Sequence, residues 1–115
     1  LNMNRVFPGE ADGTPTLMLA HYMESVLMPL TDYALDLHSG GSSLMYLPTV
    51  ILRAAEVTDE VERQVVELGR VFGAPYGFFF PPGQGGGATN MAAQARNGIV
   101  PIGTEMGGMG AVTPE

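Results

Sequence analysis

The sequence predicts an α/β domain in which a parallel or mixed central sheet is flanked by helices. Short apolar runs bounded by turn residues, from Tyr33 to Leu37 and from Tyr76 to Phe80, are typical of buried strands. Segments whose apolar residues recur at helical spacing lie between these runs, as in an α/β fold. The 115 residues are enough for one domain with a real core, and they contain no internal repeat.

The first third of the chain predicts a loop, a helix and a strand. Residues 4–13 are rich in glycine and proline and should form a loop. Thr14 is suited to the N-cap of a helix and Pro15 to its first position, and Pro29 should end this helix near residue 28. The strand from Tyr33 to Leu37 follows. We expect the helix to pack on the sheet through an apolar face made of Leu19, Tyr22, Met23, Val26 and Leu27.

The middle of the chain predicts a broken strand and an amphipathic helix. The run from Leu44 to Leu52 is apolar but contains Pro48, which favours two short edge segments over one central strand. Thr58 is suited to cap the following helix, and Gly73 should end it. One face of this helix carries Val61, Val65, Leu68 and Phe72, whereas charged residues lie elsewhere.

The last third predicts a strand from Tyr76 to Phe80, a short helix from about Thr89 to Asn97 and a final strand from Ile99 to Thr104. The glycine-rich segment 81–87 precedes the short helix and could be considered as a phosphate cradle. It lacks the lysine of a P-loop and the spacing of a dinucleotide-binding motif. A flexible hinge is therefore the favoured interpretation of this segment.

Composition excludes several classes of function. Acidic residues outnumber basic ones by 12 to 5, and every basic residue is an arginine, so no basic patch is available for a nucleic acid. The absence of cysteine excludes disulfides and thiolate chemistry. No segment approaches the roughly 20 apolar residues of a membrane span, and the first residues are not a signal peptide. By default we expect a cytoplasmic protein without a membrane partner.

Two candidate functional residues follow predicted strands. His38 stands where an apolar strand meets the turn Ser39-Gly40-Gly41, and Glu105 stands between the last strand and another glycine turn. If both strands belong to one parallel sheet, the two side chains emerge at the same edge, where open α/β sheets bind ligands. An imidazole there suits a metal ligand or a general base, although it could equally cap its strand by bonding a neighbouring carbonyl.

Arg5 is a third candidate, on a loop able to lie over the other two. Its guanidinium suits the recognition of a carboxylate. The alternative is a salt bridge to Glu10 or Asp12 on the same loop, but exposed pairs contribute only about 0–1 kcal/mol. An imidazole, a carboxylate for proton transfer and a guanidinium together predict a hydrolytic site.

Four segments in this order and spacing resemble the succinylglutamate desuccinylase/aspartoacylase family, whose members are zinc hydrolases related to the zinc carboxypeptidases. The resemblance implies a zinc-carboxypeptidase-like fold and a deacylase that cleaves the amide bond of an N-acyl amino acid or a similar small carboxylate. It covers nearly the whole chain. The segments are Asn4 to Gly9, Gly13 to Thr16 with Ala20-His21, Asp36 to Gly41, and Thr104 to Gly108.

The resemblance also implies roles for particular residues. In the family a zinc ion is held by a His and a Glu of an early segment and by the His of the Asp-Leu-His-Ser-Gly-Gly run, which is His38 here. The family's Asn-Arg pair binds the substrate carboxylate, so Asn4 and Arg5 inherit that role. The glutamate after the late strand activates the zinc-bound water and protonates the leaving amine, which implies Glu105 as the catalytic residue.

The chain also departs from the family. The early His and Glu ligands lie upstream of the Asn-Arg pair, and only three residues precede Asn4. We therefore expect residues 1–115 to be a single partial α/β catalytic domain that is inactive alone and binds zinc weakly or not at all. Missing flanks should leave strands exposed, which predicts a homo-oligomer. The alternative is a non-catalytic module that binds a small carboxylate or self-associates.

Overall fold

The computed structural model describes residues 1–53, 55–81 and 83–112. A mixed sheet of four strands has the order β1-β4-β2-β3. The parallel pairs are β1 with β4 and β2 with β3, and β2 runs antiparallel to β4. The predicted α/β class is confirmed. The elements are α1 (Pro15–Tyr22), β1 (Tyr33–His38), β2 (Met45–Arg53), α2 (Asp59–Phe72), β3 (Tyr76–Phe79), α3 (Asn90–Arg96) and β4 (Val100–Gly108).

The first helix does not continue as one α-helix to residue 28. α1 ends at Tyr22, and a wider turn over Met23–Leu27 follows, in which the Met28 amide donates to the carbonyl five residues earlier. A tight turn over Met28–Leu30 then includes Pro29, which therefore lies inside the last turn instead of ending the helix. The wide turn breaks the regular spacing of 3.6 residues on which the predicted apolar face depends.

The predicted packing face of this helical segment is wrong except at Met23, which is partly buried against the core. Leu19, Tyr22, Val26 and Leu27 are between 43% and 50% exposed. The buried side chains of the segment are the small Ala20 and the flexible Met28. The segment therefore packs against its neighbours through these two residues. A core cluster joins the segment to α3 and to the start of β4; it contains Phe7, Ala20, Met28, Ala93 and Ile99.

β2 is a central strand, which contradicts the prediction of two edge segments. It lies between β4 and β3, and its pairing with β4 is irregular between Tyr46 and Thr49. Pro48 falls within this irregularity, and β3 pairs with β2 only from Thr49 onward. The missing amide hydrogen of Pro48 therefore falls where neither ladder requires it, so a proline is tolerated inside an interior strand.

α2 matches its prediction. The Thr58 hydroxyl accepts a hydrogen bond from the Val61 amide, and Gly73 ends the helix in the left-handed region with φ of 79°. Val65 and Gly69 are its buried residues. A Cβ at Gly69 would overlap the Leu52 side chain of β2, so the glycine allows helix and sheet to approach closely.

The last elements differ from prediction mainly at their ends. β3 stops at Phe79, and α3 begins after Thr89, whose hydroxyl accepts from the Ala92 amide. β4 continues to Gly108 instead of ending at Thr104, so Glu105 lies inside a strand and not in a turn. Among the described residues, no helix is long and apolar enough to cross a bilayer.

Different helices pack on the two faces of the sheet. On the face that we call the site face, Gly103 packs against Met91 of α3, and a Cβ at Gly103 would lie close to the Met91 sulfur. On the opposite face, Val50 of β2 is buried near Gly69 of α2. Because side chains alternate along a strand, the register assigns each strand residue to one of these faces.

Candidate active site

His38 and Glu105 lie side by side on the site face. His38 is the last residue of β1 and is the parallel partner of Glu105 in β4, while Asp36 is the partner of Gly103. Residues two apart on a strand point to the same face, so Asp36, His38 and Glu105 share a face. The prediction that His38 and Glu105 meet at one edge is confirmed. Because β4 continues to Gly108, Glu105 occupies this position as a strand residue and not as a turn residue.

Asp36 is the nearest charged neighbour of His38 and was not singled out from the sequence. Its Oδ1 lies 3.2 Å from His38 Nε2, and the side chains are 16% and 37% exposed respectively. Within the described chain the imidazole bonds no backbone carbonyl, so it is not a strand cap of the kind considered above. The Asp-x-His spacing was the available signal, since it places both side chains on one face of a strand.

The Glu105 carboxyl is partly shielded from solvent. Its Oε2 is buried and has no hydrogen-bond partner among the described residues, and the same is true of Asp36 Oδ2. Burial raises the pKa of Glu105, the charge of His38 opposes this rise, and the charge of Asp36 adds to it. A carboxyl group whose pKa is moved toward neutrality is suited to accept and return a proton.

Asn4 connects the site to the start of α3. Its Oδ1 accepts a hydrogen bond of 2.7 Å from the Asn90 amide, and its Nδ2 lies 3.5 Å from His38 Nε2. The Asn2 side chain accepts in turn from the Asn4 amide at 2.9 Å. Asn4 therefore lies at the site, with its side chain engaged by protein groups.

Arg5 follows Asn4 at the end of the short turn Met3–Arg5 and is exposed. Its guanidinium donates to the Asn4 carbonyl. In the part of the chain that the structure describes, Arg5 makes no ion pair with Glu10 or Asp12. The guanidinium is thus available to a negatively charged ligand, beside the residue that contacts His38.

The described residues do not form a metal site on their own. Over residues 1–53, 55–81 and 83–112, no group of three or more His, Asp or Glu side chains is arranged to hold a metal ion. His38 is one imidazole donor, whereas a catalytic zinc normally takes three protein ligands.

The glycine-rich segment 81–87 makes hydrogen bonds to other parts of the chain; Pro82 is outside the described residues. The Gly83 amide donates to Glu56 Oε1 at 3.0 Å, and the Gly87 carbonyl accepts from Arg96 at 2.7 Å. A cavity of about 330 Å³ lies between these groups. Arg96 also makes two 2.7 Å bonds to Glu24, so its charge is already paired and offers little to a phosphate. The hinge interpretation stays a prediction.

Comparison with known proteins extends these observations. The model of the succinylglutamate desuccinylase/aspartoacylase catalytic domain matches residues 1–115. The N-alpha-acetyl-L-2,4-diaminobutyric acid deacetylase of Halomonas elongata is 40% identical over 116 aligned positions, which cover 99% of this chain and 33% of that protein.

Solved structures of similar proteins have the same fold over this part of their chains. The succinylglutamate desuccinylase/aspartoacylase of Rhodobacter sphaeroides superposes with a TM-score of 0.86 at 32% identity, over 99% of this chain and 32% of that one. The product-bound ectoine utilization protein EutE of Ruegeria pomeroyi gives 0.87 at 32% identity, over 99% and 34%. The chain thus spans about a third of the length of these relatives. By this match along its whole length, the chain belongs to the succinylglutamate desuccinylase/aspartoacylase family.

Proposed function

We propose that this chain is the central part of a zinc-dependent deacylase that hydrolyses the amide bond of an N-acyl amino acid. The observation that carries the proposal is the pairing of His38 with Glu105, whose pKa is raised in a partly buried setting. Family membership supports the reaction class. The name of the Halomonas relative supports an N-acetylated diamino acid as the substrate.

In this proposal each site residue has a defined task. Arg5 binds the substrate carboxylate through its planar guanidinium, and Asn4 holds the neighbouring backbone and His38 in place while facing the same carboxylate. Glu105 accepts the proton of the attacking water and returns it to the leaving amine. His38 is one ligand of a zinc ion, and the other ligands come from residues beyond the described set.

The test is a deacylation assay on the longer protein that contains this chain. N-acetyl-2,4-diaminobutyrate, N-succinylglutamate and N-acetylaspartate are offered in parallel. We expect turnover of at least one of them, and a loss of about 100-fold or more in kcat for Glu105→Gln, the usual size of a proton-transfer contribution. Arg70→Ala, on the exposed surface of α2, should behave like the wild type. No turnover of any N-acyl amino acid would refute the proposal.

Substrate recognition is tested separately. Arg5→Ala should lower kcat/KM. The fall should correspond to a loss of about 1.5–3 kcal/mol in transition-state stabilisation, the usual contribution of a charge-assisted hydrogen bond. Arg5→Lys should restore only part of this loss, because an ammonium group cannot make the paired contacts of a guanidinium. Wild-type kinetics in both variants would remove Arg5 from the site.

The second candidate is a non-catalytic α/β module that binds a small carboxylate or associates with itself. Apolar side chains at both edge strands favour it, because they are between 42% and 64% exposed. These side chains are Tyr33, Leu35 and Leu37 of β1, and Tyr76, Phe78 and Phe79 of β3.

We extend the proposal to the isolated 115-residue chain, which should be an inactive homo-oligomer. Sedimentation at micromolar concentration should show a species heavier than the monomer, because pairing of edge strands buries the exposed apolar side chains. Isothermal titration should show weak zinc binding or none, since His38 is a single ligand. A monomer at every concentration, or a tight one-to-one zinc site, would contradict this extension.

Location and partners complete the proposal. The substrates of this reaction are small polar amino acid derivatives, so we place the enzyme in the cytoplasm, without a nucleic-acid or membrane partner. Fractionation of cells that express the longer protein, followed by the deacylation assay on each fraction, tests the location. Activity confined to the membrane fraction would contradict it.

A further inference from the structure

The glycine turns that follow His38 and Glu105 bond to each other. The first segment spans residues 39–44, directly after β1, and the second, residues 107–110, comprises the last two residues of β4 and the turn that follows them. Four backbone hydrogen bonds join or brace them. They are Gly40 N to Gly107 O at 3.2 Å, Leu44 N to Gly40 O at 3.1 Å, Met109 N to Leu44 O at 3.0 Å, and Gly110 N to Gly41 O at 2.9 Å.

The Leu44 carbonyl lies between two glycines that have no room for a side chain. A Cβ at Gly40 would overlap this carbonyl, and so would a Cβ at Gly108. Gly108 has φ of 140°, whereas φ of Gly40 lies outside the left-handed region. At Gly40 the requirement for glycine is therefore purely steric. We call Gly40, Leu44 and Gly108 the glycine clasp.

The clasp lies directly beyond the last ladder pair of β1 and β4, which joins His38 to Glu105. His38 is the last residue of β1 to pair with β4, so nothing in the ladder holds the chain beyond it. Asp36 belongs to the same strand and moves with His38, and the contact from Asn4 is long at 3.5 Å. Gly108 lies on β4, three residues after Glu105.

We propose that the glycine clasp sets the position of His38 relative to Glu105, which makes Gly40 and Gly108 positioning residues for the deacylation. The inference rests on the proposed function for its effect on rate, but its structural part does not depend on activity. A methyl group at Gly40 displaces Leu44 and with it the turn that begins at Ser39. The register at the start of β1 stays in place, because the buried Val100 and Ile102 anchor it.

The structural part is tested by NMR on the 115-residue chain. In the wild type we expect cross-strand contacts (nuclear Overhauser effects) for the pair His38 and Glu105 and for the pair Tyr33 and Val100. Gly40→Ala should lose the first contact and keep the second. The matched control is Gly87→Ala, which has φ outside the left-handed region and open space around its Cβ, and which should keep both contacts.

Hydrogen exchange of the wild-type chain gives a measurement that does not depend on the variant folding. The amides of Leu44, Met109 and Gly110 should be protected, because each donates within or beside the clasp. Exchange at the rate of an unstructured peptide would overturn the proposal. An intact His38 to Glu105 contact in Gly40→Ala, or its loss in Gly87→Ala, would also overturn it.

The kinetic part is tested in the longer protein. Displacement of a reacting group by about 1 Å can cost about 100-fold in rate, so Gly40→Ala should lower kcat by roughly that factor and leave KM nearly unchanged. A rise in KM with unchanged kcat would overturn the positioning role. If the wild type cleaves no N-acyl amino acid, the proposed function fails while the NMR and exchange results still decide the clasp.

Discussion

The two ends of the β1–β4 pair have opposite characters. At its start, Ile99 and Val100 are buried, the Val100 amide donates to the Asp32 carbonyl at 3.0 Å, and Ile99 joins the apolar core cluster. At its far end, Asp36 and Glu105 each bury a carboxylate oxygen that has no partner among the described residues. An unpaired buried polar group costs about 1–3 kcal/mol, so the far end destabilises the fold while the start stabilises it.

This difference shows where the candidate site draws its stability. The polar groups at the far end persist because the start of the strand pair, together with α3 and the first helical segment, holds both strands in register. Strain and unpaired polar groups tend to collect at functional sites for this reason. Changes at the start should therefore lower stability, whereas changes at the far end should affect chemistry and can even raise stability.

The largest effect is expected from the start of the pair. Ile99→Ala should lower the free energy of unfolding by about 2–5 kcal/mol, because it leaves a cavity in the core cluster. Urea denaturation measures this loss. Leu35→Ala is the control on the neighbouring strand, since Leu35 is 53% exposed and should change stability by less than about 0.5 kcal/mol. Equal losses in both variants would contradict the contrast between the two ends.

The next-largest loss of stability is expected from the ion pair that joins the first helical segment to α3. Glu24 is 13% exposed and receives two 2.7 Å bonds from Arg96, and it accepts a third bond from Asn97. Glu24→Ala should therefore cost about 1.5–3 kcal/mol in urea denaturation. Glu67→Ala breaks the exposed pair with Arg70 and should cost only about 0–1 kcal/mol. If Glu67→Ala costs as much, the partly buried ion pair of Glu24 and Arg96 has no special role.

At the far end the expected change has the opposite sign. The folded-state pKa of Glu105 is raised, so the folded protein favours the protonated carboxyl. The protonated Glu105 carboxyl therefore contributes its full stabilisation below the ordinary glutamate pKa. This contribution is lost as the pH rises through the raised pKa of the folded state. Glu105→Gln should thus unfold at higher urea concentration than the wild type at pH 7, and this gain should disappear in acid. A loss of stability at pH 7 would contradict the assigned sign.

The smallest effect lies on the exposed surface of α2, away from both ends. The Arg63 guanidinium bonds the Glu60 carboxylate and lowers its pKa, with further help from Gln64. Arg63→Ala should return the pKa of Glu60 toward its ordinary value, as followed by NMR titration. Stability should change little, because the pair is fully exposed. An unchanged Glu60 pKa would show that the pair does not form in solution.

Local signals explain what could be predicted. α2 follows from Thr58, Gly73 and one apolar face, all of which act within a few residues. His38 and Glu105 could be brought together because each follows a strand signal and a parallel pair aligns such ends. The packing of the first helical segment could not be predicted, because a wide turn after Tyr22 shifts the spacing of its apolar residues.

The sequence by itself therefore determined the α/β class, the order of helices and strands, and the His38 and Glu105 candidates, since these depend on hydrophobic period and turn chemistry. Only the tertiary structure decided that β2 is central, that Asn4 joins His38 to α3, and that two glycines enclose the Leu44 carbonyl. Each of these depends on a contact between residues far apart in the chain. Such a contact is set by which surfaces meet on folding, and no local pattern records it.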